Sequence, residues 1–192
     1  AAHHRPPHRA LLGSPVNAPR TSFEVLDAGL GAVLRSVDQA AQLARWIQQH
    51  APGQREKDDK TPLTVADLAA QAIVASALER AFPDVPLVAE EDSSALSGDA
   101  GRRLAEQTLE FVRPLLPALT RADLERLLNT GAGSPANRFW TLDPIDGTKG
   151  FLRGGHYVVS LALIEDYQPT VAMIGCPTLN PAGLDGGTGG LV

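Results

Sequence analysis

The sequence predicts an α+β fold, or a layered α/β arrangement, with a sheet that is antiparallel or mixed. Three observations predict it. Apolar residues recur at the three-and-four spacing of an amphipathic helix through the first third of the chain, at Phe23, Leu26, Leu30, Val33, Leu34, Val37, Ala41, Ala44 and Ile47. Two short apolar runs, Tyr157 to Ile164 and Thr170 to Gly175, flank the polar stretch Glu165 to Pro169 and read as a hairpin. Helices and strands come in blocks rather than in strict alternation.

The elements follow in order. One long helix runs from Phe23 to about His50, and the polar stretch Pro52 to Lys60 forms a loop. Thr64-Val65-Ala66-Asp67 supplies a capping signature for a second helix, Leu68 to Phe82, which is apolar on most faces and so packs on more than one side. Pro86 to Glu90 is a short buried strand ending in acid. Two further helical stretches, Leu104 to Leu116 and Arg121 to Leu128, lie between Gly101 and Gly131. Arg138 to Leu142 reads as a strand that stops at Asp143-Pro144, because proline cannot donate to a ladder.

The chain has 192 residues, 43% of them apolar, enough for one domain with a buried core. Acids outnumber bases, 22 to 17, which argues against general attraction to nucleic acid or an anionic membrane. Cys176 is the one cysteine, so a disulfide scaffold is excluded and an intracellular, reducing setting is expected. The apolar runs fall far short of the ~18 residues that a membrane span needs. Residues 1–22 carry Arg5, Arg9 and Arg20, are rich in His and Pro, and contain no acid. They suit either the remnant of a plastid or mitochondrial transit peptide or a disordered tail of a cytoplasmic protein. Residues 180–192 are glycine-rich and read as a linker-like tail, which leaves 23–179 as the folded domain.

The chemistry concentrates in Asp143-Pro144-Ile145-Asp146-Gly147-Thr148-Lys149-Gly150. Two carboxylates three residues apart, at a strand end and around a proline, can converge on one point beyond the sheet edge. Hard divalent cations such as magnesium take oxygen ligands of this kind. Gly147 and Gly150 allow close backbone approach, and a helix starting near Thr148 would offer free amides to an anion. The same residues also suit an ordinary turn in which the aspartates cap backbone amides. Glu90-Glu91-Asp92 ends another strand, where one glutamate can ligate and the other support it; alone, it would be a solvated acidic loop. Asp67 is placed either to cap its helix or to bind metal and orient a water.

Other chemistries lack their signals. Lys149 is not preceded by a P-loop, the five histidines show no ligand spacing, and Ser160 sits in no nucleophile elbow. Cys176, between Gly175 and Pro177, has no basic neighbours and reads as a packing residue.

The string Trp140-Thr141-Leu142-Asp143-Pro144-Ile145-Asp146-Gly147-Thr148-Lys149-Gly150-Phe151 resembles the signature of the lithium-sensitive, magnesium-dependent phosphatases of the inositol monophosphatase superfamily. Asp59 to Asp67 and Val88 to Ser93 agree with it in order and approximate spacing. Lys149 to Gly155 and Ile174 to Pro177 are similar to the 3'(2'),5'-bisphosphate nucleotidase branch. The resemblance implies the amino-terminal half of a layered αβαβα sandwich, with long paired helices on a largely antiparallel sheet. It implies hydrolysis of the 3'-phosphate of 3'-phosphoadenosine 5'-phosphate to AMP by metal-activated water, with two or three magnesium ions.

It also assigns roles. Glu90, Asp143, Asp146 and the carbonyl of Ile145 would hold magnesium, with Glu91 supporting. Asp67 and Thr148 would position and deprotonate the attacking water, and the Gly147 and Thr148 amides would receive the phosphate. Family members continue through a second domain whose Trp-Asp-x-Ala-Gly aspartate completes the metal site, and nothing after Gly175 resembles it. The 192 residues alone are therefore expected to be poorly active. An inositol phosphate 1-phosphatase on the same scaffold is the alternative enzyme, and a non-catalytic truncated product the alternative of another class.

Overall fold

The structure, a computed structural model, describes residues 22–50, 61–130, 137–179 and 190–191. The arginine-bearing lead and nearly all of the glycine-rich end, on which the transit-peptide and linker readings fall, lie outside the described residues. The α+β class holds. Among the described residues, five helices, α1 (Ser22–His50), α2 (Thr61–Ala81), α3 (Gly98–Val112), α4 (Arg121–Thr130) and α5 (Thr148–Leu152), accompany five strands. These are β1 (Leu87–Ala89), β2 (Arg138–Asp146), β3 (Val158–Glu165), β4 (Gln168–Cys176) and β5 (Gly190–Leu191), in the spatial order β1-β2-β3-β4-β5. The β1–β2 pair is parallel and the other pairs are antiparallel, so the sheet is mixed.

The α1 periodicity places Val33, Val37, Ala40, Ala41, Ala44 and Ile47 in the core, against α2, β3 and β4. Gly175 on β4 permits the contact: a Cβ there would stand 2.8 Å from the Ala41 Cβ and 3.2 Å from the Val37 carbonyl. The second helix is buried almost without interruption from Val65 to Leu78, between α1 and β2 on one side and α3 and α4 on the other. Its many alanines allow this close packing all round.

Several boundaries differ from the sequence reading, each for a local reason. The second helix begins at Thr61, not Leu68, so Thr64 is no cap and Asp67 projects from the second turn. Pro62 sits in the first turn, where its missing N–H would have had no intrahelical partner. Gly101 does not bound a helix; it is buried inside α3, where a Cβ would stand 2.1 Å from the Leu96 carbonyl carbon. The cap that the sequence reading overlooked belongs to α4. There the Thr120 N–H donates to the Asp123 carboxylate at 3.1 Å and the Asp123 N–H to the Thr120 hydroxyl at 3.2 Å, a reciprocal capping box.

Strand β2 does not stop at Asp143-Pro144 but continues to Asp146. Its register against β3 slips between Asp143 (opposite Ser160) and Asp146 (opposite Val158), so one extra residue is bulged out around Pro144. On its other side β2 is already an edge there, because β1 ends at Ala89 opposite Leu142. Proline's missing donor therefore costs no ladder bond. The hairpin turns on Asp166 and Tyr167, both with positive φ (48° and 65°), which extends β4 back to Gln168. At the far end Gly190 and Leu191 pair with Cys176 and Gly175, so the glycine-rich end returns to the sheet.

Candidate metal and phosphate site

Parallel pairing of β1 and β2 decides where the acids go. Both strands run the same way, and β1 ends at Ala89 opposite Leu142, so Glu90-Glu91 and the last residues of β2, Asp143 to Asp146, lie at the same end of the strand pair. Asp67 enters from the amino-terminal half of α2. One turn further along, the fully buried Gln71 ties this helix to the β1 end: its amide donates to the Glu91 carbonyl at 2.7 Å, and the Glu91 N–H donates to Gln71 Oε1 at 3.1 Å. Sequence reasoning missed Gln71. Its signal was a lone amide on a helix otherwise apolar on that face, four residues after Asp67.

The acids are near enough to raise one another's carboxyls. Burial pushes the Asp67 carboxyl up to about 8, and the charges of Glu91, Glu90 and Asp143 push in the same direction. Asp143 is raised by burial, then by Glu90 and Asp146, against the opposing N–H of Ile145, which donates to it at 3.2 Å. Glu91 is raised by burial, then by Glu90 and Asp92. Among the described residues, no basic side chain is among the causes of these three shifts. Five acids on three elements repel one another at one sheet edge. The candidate ligands, carboxylate oxygens and the Ile145 carbonyl, are of the type that a hard divalent cation takes.

The turn reading is correct in part. Asp143 does cap the Ile145 amide, and Asp92 caps the short 3-10 turn Ser93–Leu96 through Ser94 N–H at 2.7 Å. The Ile145 side chain is core, and its backbone lies at the strand end between the two aspartates. Among the described residues, no group of three or more His, Cys, Asp or Glu side chains is arranged to hold an ion unaided. The acids are thus gathered but not closed around a point.

Gly147 follows at φ +101°, a conformation that needs glycine, and starts α5. At five residues α5 is a little over one turn and adds backbone amides rather than an extended dipole. Gly150 is obligatory for another reason: a Cβ would stand 1.8 Å from the His156 carbonyl oxygen. Thr148 and Lys149 are exposed beside the acids. The rings of the two described histidines have other partners, His50 stacking on Trp46 at 4.7 Å and His156 bonding Thr178 at 2.7 Å. Burial pushes the Cys176 thiol up, which suits packing and not nucleophilic attack. Among the described residues no helix is long and apolar enough to cross a membrane.

Residues 27–185 match the inositol monophosphatase family, and the chain belongs to it. Within the family it is similar to proteins named 3'(2'),5'-bisphosphate nucleotidase. That of Schizosaccharomyces pombe is 42% identical over 142 residues, covering 69% of this chain and 40% of the relative. One from Arabidopsis thaliana is 37% identical over 171 residues, 82% of this chain and 48% of the relative. One from Candida albicans is 40% identical over 169 residues, 81% of this chain and 47% of the relative. The chain spans about half the length of the curated relatives it matches.

Proposed function

We propose that residues 23–179 form the metal-binding domain of a magnesium-dependent phosphomonoesterase that cleaves the 3'-phosphate of 3'-phosphoadenosine 5'-phosphate, giving AMP and phosphate. The observation that carries this reading is the convergence of acids from α2, the β1 end and the β2 end, where Glu90, Glu91 and Asp143 raise the buried Asp67 carboxyl and Glu90 and Asp146 raise that of Asp143. Glu90, Asp143, Asp146 and the Ile145 carbonyl are the residues that would hold two or three magnesium ions. Magnesium, when bound, supplies Lewis-acid polarisation of the phosphate and a water of lowered pKa.

The chain's own residues do the rest. Asp67 and the Thr148 hydroxyl orient the attacking water and take its proton. The Gly147 and Thr148 amides hold the phosphate oxygens. Gln71 fixes the main chain of Glu91 and so keeps the β1 end beside Asp67. The names of the relatives support a bisphosphonucleotide over an inositol phosphate, as does the string Lys149 to Gly155. The single cysteine and the acid-free lead support an intracellular enzyme, cytoplasmic or carried into a plastid or mitochondrion.

The test is phosphate release from 3'-phosphoadenosine 5'-phosphate and from inositol 1,4-bisphosphate, with magnesium and with chelator, by the full-length protein. Magnesium-dependent release from the nucleotide alone supports the reading. Release from the inositol phosphate alone would transfer the site to the other substrate class.

A further inference from the structure

The acid cluster and the Gly147–Thr148 turn contain no residue of α1, yet α1 reaches beneath that turn. Gln48, in the last turn of α1, is 4% exposed. Its side-chain amide donates to the Phe151 carbonyl at 2.9 Å and to the Gly155 carbonyl at 3.2 Å. These acceptors bracket the return of the chain from α5 towards β3. Within the bracket the Gly155 N–H donates to the Gly150 carbonyl at 2.8 Å, and the Gly150 and Phe151 N–H groups donate to the Gly147 carbonyl at 2.7 and 3.0 Å. A continuous set of bonds therefore runs from Gln48 through Gly155 and Gly150 to Gly147.

We infer that Gln48 is a positioning residue: from α1 it holds both ends of the Phe151–Gly155 return and so fixes the Gly147–Thr148 backbone to which the proposed function assigns the phosphate. The inference rests on that reading for its catalytic meaning, and on the hydrogen bonds for its structural one. A glutamine suits the place because one NH2 group supplies two donors, matching the Gly155 carbonyl and the Phe151 carbonyl, which also accepts from the Gly154 N–H at 3.0 Å. Gly175, by letting α1 lie close on β4, brings the amide within reach. Two neighbouring ties act at the same end of α1 and of the sheet: Arg45 donates to the Pro177 carbonyl, and His156 bonds Thr178.

The experiment compares Gln48→Met, of similar shape but without donors, with Val33→Ala, which weakens α1 in the core far from the turn. Amide hydrogen exchange is read at Gly150, Phe151 and Gly155 and, as reference, along the β3–β4 ladder. Affinity for inorganic phosphate in the presence of magnesium is read from the Gly147 and Thr148 amide resonances. In Gln48→Met the turn amides should exchange roughly tenfold faster than the ladder amides change, and phosphate affinity should fall about tenfold. In Val33→Ala both sets of amides should shift together, with phosphate affinity kept. Uniform exchange changes in Gln48→Met, or an undiminished phosphate affinity, would overturn the inference. Absence of phosphate binding in the wild type, with the exchange pattern as expected, would instead sink the phosphate reading and leave Gln48 as the anchor of the turn.

Discussion

Gln71 and Glu91 exchange two hydrogen bonds across twenty residues of sequence, side-chain amide to carbonyl at 2.7 Å and N–H to side-chain oxygen at 3.1 Å. This pairing makes α2 and the end of β1 a single unit, and it places Asp67 and the Glu90-Glu91 pair on the same side of it. Replacing Gln71 by Leu removes the partner of both backbone groups of Glu91 in a half-buried setting. We expect a stability loss of about 1 to 3 kcal/mol, together with a smaller upward shift of the Asp67 carboxyl as the glutamates move off. Urea denaturation and a carboxyl-resolved pH titration would read the two effects; an unchanged Asp67 titration would mean that the clasp does not set the cluster.

The Asp67 carboxyl gives a pH dependence of definite sign. Its folded value is raised from 3.8 to about 8, so between those values the folded chain holds a proton that the unfolded chain has lost. Stability then falls as pH rises through that window, and Glu91 and Asp143, raised too, add to the slope. In chelator, the unfolding free energy from urea denaturation should be higher at about pH 5 than at about pH 8, by a few kcal/mol at most. Asp67→Asn should flatten most of this slope. A midpoint that rises with pH would contradict the repulsion.

Two glycines of the α5 segment should respond differently to the same change. In Gly150→Ala the new methyl would meet the His156 carbonyl oxygen at 1.8 Å, so the turn must move. At Gly154 nothing lies within 4 Å and only the positive φ of 70° opposes a side chain. Gly154→Ala should cost about 1 kcal/mol. Gly150→Ala should cost at least twice that, roughly 2 kcal/mol or more, and remove phosphate release. Equal melting temperatures for the two variants would show that the turn is free to relax.

Much of this arrangement was legible in the sequence, where the physics is local. The α1 spacing, the hairpin and the acid-bearing strand ends all follow from periodicity and residue type over a few positions. What was not legible depends on partners distant in the chain. Pro144 ends a strand only if a ladder bond is needed there, and the bulge opposite Ser160 and Val158 removes that need. Gly101 punctuates a helix unless another segment presses on it, as the Leu96 backbone does. Thr64 is a cap only if Pro62 cannot be helical, and in a first turn it can. At the site, the residue types named the cluster, whereas Gln71 and Gln48 emerge only when the elements they join are side by side.

The central claim is that the acids at the β1–β2 edge serve a divalent cation in phosphate ester hydrolysis. Asp146 tests it most directly, because it is exposed at the end of β2 and carries no core packing. The measurement is phosphate release from 3'-phosphoadenosine 5'-phosphate by the full-length protein and its Asp146→Asn variant, across a magnesium titration. Magnesium-dependent release is expected in the wild type, and a loss on the order of a hundredfold in the variant, with an unchanged melting temperature in chelator. Release that ignores magnesium, or a variant as active as the wild type, would contradict it.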